Sequence, residues 1–151
     1  RSEGRPHDEH CFVVHGTMAD PRWLDPAVDP NDRRPGWCFL GDPRVVNNSP
    51  VGLARFCSLR SWLSQWSLDD SNADSLAALR RVTVPVLVVA NSADDAATPS
   101  HAQRMFDAVG HDRRQKEEIK GANHYYFGQP QEALAATDVV RGWLEKHDLA
   151  G

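Results

Sequence analysis

Residues 84–109 read VPVLVVANSADDAATPSHAQRMFDAV, and the change of pattern inside this stretch decides the fold. Its first seven residues, 84–90, are a near-continuous run of β-branched and aliphatic side chains. Alternation is absent, so a strand made from them expects cover on both faces, as in a parallel sheet. Residues 91–97 break the run with small and turn-forming side chains. Thr98 then stands as an N-cap with Pro99 at the first helical position, where its missing N–H is not needed. Ala102, Met105, Phe106 and Val109 follow at helical spacing, and Gly110 closes the helix.

Further along, residues 115–119 are predicted to form another strand, with Gly121 after it. Residues 131–147 are predicted to form a last helix, with Ala136, Val139, Val140, Trp143 and Leu144 on one face. Strand, helix, strand, helix in this order implies parallel strands with right-handed crossovers. No internal repeat is visible.

Upstream the character changes. Six of the ten prolines (Pro21, Pro26, Pro30, Pro35, Pro43, Pro50) fall in residues 17–50, with Asp20, Asp25, Asp29, Asp32 and Asp42 between them. Proline removes a backbone donor and Asp favours turns, so regular structure should be scarce. Trp23, Leu24, Trp37, Phe39 and Leu40 are too apolar for a free linker. The segment therefore reads as an ordered, irregular excursion of the kind that often forms a lid. Residues 11–14 are a short strand-like run closed by His15 and Gly16, and residues 1–10 are polar and loop-like. Leu53, Phe56, Leu59, Leu63 and Trp66, widened by Cys57 and Trp62, predict a helix over 52–67. Residues 69–75 are a turn cluster, with Ser75 placed to cap a short helix over 76–81. The expected organisation is a lid- or cap-like segment over residues 1–81 and an α/β core over 82–151.

Composition bounds the function. In 151 residues, 40% are hydrophobic and 25% charged, so a packed core is feasible. The formal net charge of -4 argues against nucleic acid as a partner. No run of about 18 apolar residues exists to span a membrane. The chain opens on Arg1 without a signal peptide, which suggests a sequence beginning partway through a protein and a cytoplasmic location. Cys11, Cys38 and Cys57 are odd in number and widely spaced, which fits idle thiols rather than a disulfide framework or a zinc site.

Two residues stand where α/β sheets bind ligands, beyond the carboxyl ends of strands. Asp94 follows one predicted strand and His124 the next. A carboxylate that accepts from an imidazole fixes its tautomer and stabilises the imidazolium formed when the ring takes a proton.

The stretch 84–109 followed by IKGANHYYF resembles the end of the α/β-hydrolase fold, over residues 82–148. The resemblance implies a partial fold of that type, made of its last parallel strands and helices and preceded by the irregular lid. NSAD, ending at Asp94, matches the family's acid loop, and GANH, ending at His124, its histidine loop. LDPAVDPNDR, GDPRVVNNSP, GLARF and LRSWLSQWS also resemble a subgroup of the family.

The family's Gly-x-nucleophile-x-Gly elbow is absent. Ser49, Cys57, Ser61, Ser64 and Ser92 are poor substitutes, so the nucleophile is expected upstream of Arg1. FVVHG, ending at Gly16, resembles an oxyanion-hole strand or a strand leading into the lid, with plain structure as the remaining reading. Trp23, Trp37, Trp62 and Trp66 are packing residues or a substrate wall, and His101, His111 and His147 are expected at the surface.

The implied activity is hydrolysis of an ester, amide or related acyl bond in a small-molecule substrate, without cofactor or metal. Asp94 and His124 are the catalytic residues, and the upstream part of the same protein supplies the nucleophile. An Asp nucleophile acting on epoxides or carbon–halogen bonds, and a non-catalytic binding scaffold, stay open as alternatives.

Overall fold

A computed structural model describes residues 10–38, 40–53 and 55–149. Residues 1–9, expected as a polar loop, and Phe39 lie outside these. Cys11–Val13 (β1) pairs antiparallel with Phe56–Ser58 (β2), with Phe12 opposite Cys57. The long chain between them returns to its starting point and is pinned there.

That excursion is irregular, as expected, and it is held by polar side chains. Asp20 accepts from Arg22 N and starts a 3-10 turn over Pro21–Leu24, and Asp42 does the same for the short helix α1 (Pro43–Val46). Asn47 is buried: its Oδ1 accepts from the amides of Met18 and Ala19, both at 3.0 Å, and its Nδ2 donates to Ala19 O at 2.7 Å. Arg55, also buried, donates to Asn47 O at 2.9 Å and to Val14 O. A segment this poor in backbone ladders has to satisfy its buried peptide groups with side chains, and these two residues do so.

The helix predicted over 52–67 is shorter than expected. It runs as α2 over Leu59–Trp66, because residues 56–58 are drawn into the pair with β1. Ser58 sits in extended backbone and its side chain accepts from Ser61 N at 3.2 Å, which sets the helix start there. Phe56 belonged to the helical stripe by spacing alone. A similar shift occurs at α3 (Ser75–Leu79). Its cap is Asp74, whose Oδ1 accepts from Leu76 N and Ala77 N, and Ser75 is the first helical residue.

The second half follows the sequence closely. Val86–Asn91 (β3) and Arg114–Ile119 (β4) are parallel neighbours, with Val86 opposite Arg114 and Asn91 opposite Ile119. Pro85, which has no N–H, falls just before β3. Between the strands runs α4 (Pro99–Ala108), and the chain then passes into α5 (Pro130–Lys146). Ile119, Ala122 and Ala136 form a buried cluster, with Val89, Tyr126 and Val139 packed on it, so α5 is anchored to the sheet. Gly121 follows β4 with φ +74, a conformation that favours glycine over side-chain-bearing residues.

One expectation is met only in part. The apolar run of β3 implied burial on both faces, yet only Val88 of this strand is fully buried. Among the described residues β3 has β4 on one edge and no strand on the other. A hollow of about 370 Å³ lies along it, lined by Val88, Ala90, Met105, Lys116, Glu118 and Asp94.

Candidate active site

The loops after β3 and β4 are stitched to each other by backbone and amide contacts. Ser92 N donates to Ile119 O at 3.1 Å and Ala93 N to Ala122 O at 3.0 Å. Asn91 Nδ2 donates to Asn123 O at 2.9 Å, and Tyr126 Oη donates to Asn91 Oδ1 at 2.9 Å. The second loop is closed on itself. Asn123 Oδ1 accepts from Phe127 N at 2.9 Å, and Gln129 Nε2 donates to Gly121 O at 2.8 Å. Parallel pairing places both loops at the same sheet end, and these contacts fix their separation.

Asp94 and His124 are brought together there. His124 Nδ1 lies 3.0 Å from Asp94 Oδ2 and 3.1 Å from Oδ1. Asp94 is buried, and its Oδ1 also accepts from the amides of Ala96 at 2.7 Å and Ala97 at 2.6 Å. A carboxylate at this spot therefore has a full set of donors and a fixed direction. Because an ionised carboxylate only accepts, the proton on Nδ1 points at Asp94. The tautomer is thereby set, and Nε2 is the basic nitrogen. The imidazole is partly exposed, with 31% of its side chain accessible, so reactants can reach it. Tyr125 stands edge-on to the ring, at 4.5 Å between centroids.

Asp95, the adjacent carboxyl, has a different environment. Burial raises its pKa above the ordinary carboxylate value, and the charge of Asp94 adds to that. Its Oδ1 is buried with no hydrogen-bond partner among the described residues. A group whose folded pKa is raised costs nothing while both states are protonated. The cost appears as pH climbs through the unfolded value and is complete above the folded one. Asp95→Asn is therefore expected to raise stability at pH 7. The gain should vanish below the ordinary Asp pKa. Urea melts at pH 7 and pH 3 check this; equal shifts at both would contradict it.

The serine and cysteine candidates do not form an elbow. Ser92 Oγ donates to Asp32 Oδ2 at 2.7 Å and accepts from Gly121 N at 2.8 Å. Ser49 Oγ accepts from Val51 N and lines a hollow with Leu40 and Val45. Ser61, Ser64 and Trp62 lie on α2, as helical residues. Cys38 is buried, and burial pushes its thiol up, which disfavours the thiolate that would attack. Cys11 and Cys57 are unbridged.

His15 and Gly16 line a groove of about 530 Å³ with Met18, Trp62, Trp66 and Ala96, the last a residue of the acid loop. Trp62 and Trp66 stack, 5.8 Å between centroids. The Gly16 amide donates to Asn47 O at 3.2 Å and is engaged within the excursion. Of the other tryptophans, Trp37 is partly exposed and lies under Arg34, while the side chain of Trp23 is outside the described set. His101 is exposed as expected, but His111 is not a simple surface group: both its ring nitrogens are buried without partners among the described residues. His147 packs on Trp143, 4.8 Å between centroids.

Several residues near the acid loop had no functional signal in the sequence. Asn31, Asp32 and Asp29 read as turn formers, yet all three reach the loop or the helix that follows it. Their only trace was an Asp- and Asn-rich stretch, which fits any turn.

Among the described residues no group of three or more His, Cys, Asp or Glu could hold a metal ion. No helix among them is long and apolar enough to cross a membrane. Compared with known families, the chain matches the model of the alpha/beta hydrolase family over residues 5–137. No curated protein and no solved structure matches it.

Proposed function

Since the chain belongs to the α/β-hydrolase family, we propose that it carries the acid and the histidine of a Ser-Asp-His triad and hydrolyses an ester, amide or related acyl bond. The observation that carries this is the 3.0 Å contact between His124 Nδ1 and the Asp94 carboxylate at one sheet end. In this mechanism a serine hydroxyl attacks the carbonyl carbon while His124 Nε2 takes its proton. The same nitrogen returns the proton to the leaving group, and a water molecule repeats the cycle on the acyl-enzyme. Asp94 holds the tautomer and stabilises the imidazolium.

The nucleophile, in this proposal, lies on polypeptide outside residues 1–151. Two features support that. The sequence has no Gly-x-nucleophile-x-Gly elbow. The β3 edge that β4 leaves open, and the hollow beside it, border Asp94 itself. Residues 1–81 serve as the lid, with the groove at Trp62 and Trp66 facing the acyl or leaving group.

Reaction of the full-length protein with a fluorophosphonate, followed by peptide mapping, tests this. The expected adduct is on a serine outside this chain, and its formation should be lost in His124→Ala. An adduct on Ser49 or Ser92, or labelling that ignores His124, would overturn the assignment.

A further inference from the structure

Residues 28–33 grip the acid loop at three points. Asn31 Nδ2 donates at 2.8 Å to the peptide carbonyl of Asp94 itself. Two residues earlier in the loop, Ser92 O accepts from Asp32 N at 2.8 Å, and Ser92 Oγ donates to the Asp32 carboxylate. Beyond the loop, Asp29 accepts from Ser100 N at 3.2 Å and from Ser100 Oγ at 2.6 Å. Thr98, the residue in the N-cap position of α4, makes no side-chain cap bond, so Asp29 acts as the cap from a distant part of the chain. Burial alone would raise the Asp29 pKa, but these contacts outweigh it and hold the carboxyl below its ordinary value.

The grip is itself braced. Arg33 is buried and donates to Val28 O and Asp29 O, both at 2.7 Å. It also donates to Asn31 Oδ1, at 2.9 Å from Nη1 and 3.1 Å from its own amide. Both ends of the Asn31 amide are thus committed: one to Arg33, the other to Asp94. Asp29 accepts the cost of a positive φ of 49 to make this turn, a conformation Asp tolerates better than most residues.

Resting on the triad reading, we propose that Asn31 is a positioning residue for Asp94, and that the turn 28–33 sets the aim of the carboxylate at His124. The acid loop's own contacts hold its first residues and the Asp94 carboxylate, and Asn31 holds the Asp94 carbonyl. Residues 92 and 93 are tied to the histidine loop through Ile119 and Ala122. Past them, Asp94 Oδ1 accepts from Ala96 and Ala97 while Oδ2 faces the imidazole. Fixing the Asp94 carbonyl fixes the peptide plane from which the carboxylate projects. Asp32 and Lys120, 2.5 Å apart on the surface, add little, since exposed pairs are weak.

A double-mutant cycle in the full-length enzyme tests this. Asn31→Ala is expected to lower kcat by roughly five- to tenfold, the rate equivalent of one hydrogen bond, with KM changed less than about twofold. In an Asp94→Asn background the same substitution should change kcat by less than about twofold, because the aim of the side chain no longer matters. An equal loss in both backgrounds marks a structural role and overturns the proposal, as does no loss in either. Asn31→Asp guards against misfolding, because it keeps the acceptor for Arg33 while replacing the donor to Asp94 by a carboxylate oxygen. It should reproduce the kcat loss and the non-additivity. If Asp94→Asn alone leaves activity intact, the triad reading fails first. If Asp94→Asn abolishes turnover and Asn31 variants are additive with it, only the positioning role fails.

Discussion

Asp94→Asn, in the full-length enzyme, is expected to cut kcat by about 10⁴-fold, as loss of tautomer control does in serine hydrolases. Asparagine keeps the shape of the side chain, so the loop need not move. What changes is the sense of the contact with His124 Nδ1. A carboxylate accepts there, whereas an amide turned to present its NH₂ donates. The ring is then driven to carry its proton on Nε2, and the base that should receive the nucleophile's proton is gone. Ala96 N and Ala97 N reinforce the effect, because both donate to Asp94 Oδ1 and orient the replacement carbonyl toward themselves. Asp95→Asn should lower kcat by less than about threefold, since its side chain contacts the backbone of His124 and not the imidazole, and an Asn carbonyl keeps an acceptor there. Steady-state kinetics on an activated ester checks the ranking. Comparable losses from the two substitutions, or a larger one from Asp95→Asn, would remove Asp94 from the triad.

The second large effect concerns His124 and the proposed location of the nucleophile. Replacing His124 by Ala in the full-length protein should lower kcat by on the order of 10⁶-fold, leaving only binding and oxyanion stabilisation. The chain of residues 1–151, prepared by itself, should already sit at that floor. Its rate on an activated ester should be the same with and without the His124→Ala substitution, with circular dichroism used to establish that both chains are folded. A fast, His124-dependent rate from residues 1–151 alone would mean that the nucleophile is within them. Many large apolar side chains, among them Leu53, Phe56, Val84 and Leu134, are exposed, so the isolated chain should also associate readily. That makes the folding control essential to the comparison.

Legibility in the sequence followed the range of the contacts. The order of β3, α4, β4 and α5 could be read because each element is written in local terms. An apolar run, a proline at the helix start and an apolar stripe at helical spacing need no knowledge of the rest of the chain. Asp94 and His124 were visible for the same reason: each follows its strand by a few residues, and parallel strands put both loops at one end. The strand ends moved by one or two residues, which local pattern does not fix.

Tertiary structure decided what depended on distant partners. Residues 56–58 carry a helical stripe and yet form β2, because β1 offers backbone partners that a helix start would leave unused. Asp74 rather than Ser75 caps α3, a choice between adjacent residues that both favour that position. Asp29, Asn31 and Asp32 have the sequence signature of an ordinary turn. Their hold on Ser100, Asp94 and Ser92 exists only because the excursion folds back across the sheet end, some sixty to seventy residues away along the chain. Asp94 and His124 stand out in the sequence, because side-chain type and local spacing are local properties. The contact of Asn31 with Asp94 came from the fold, because its partners lie far apart in the chain and the local pattern does not name them.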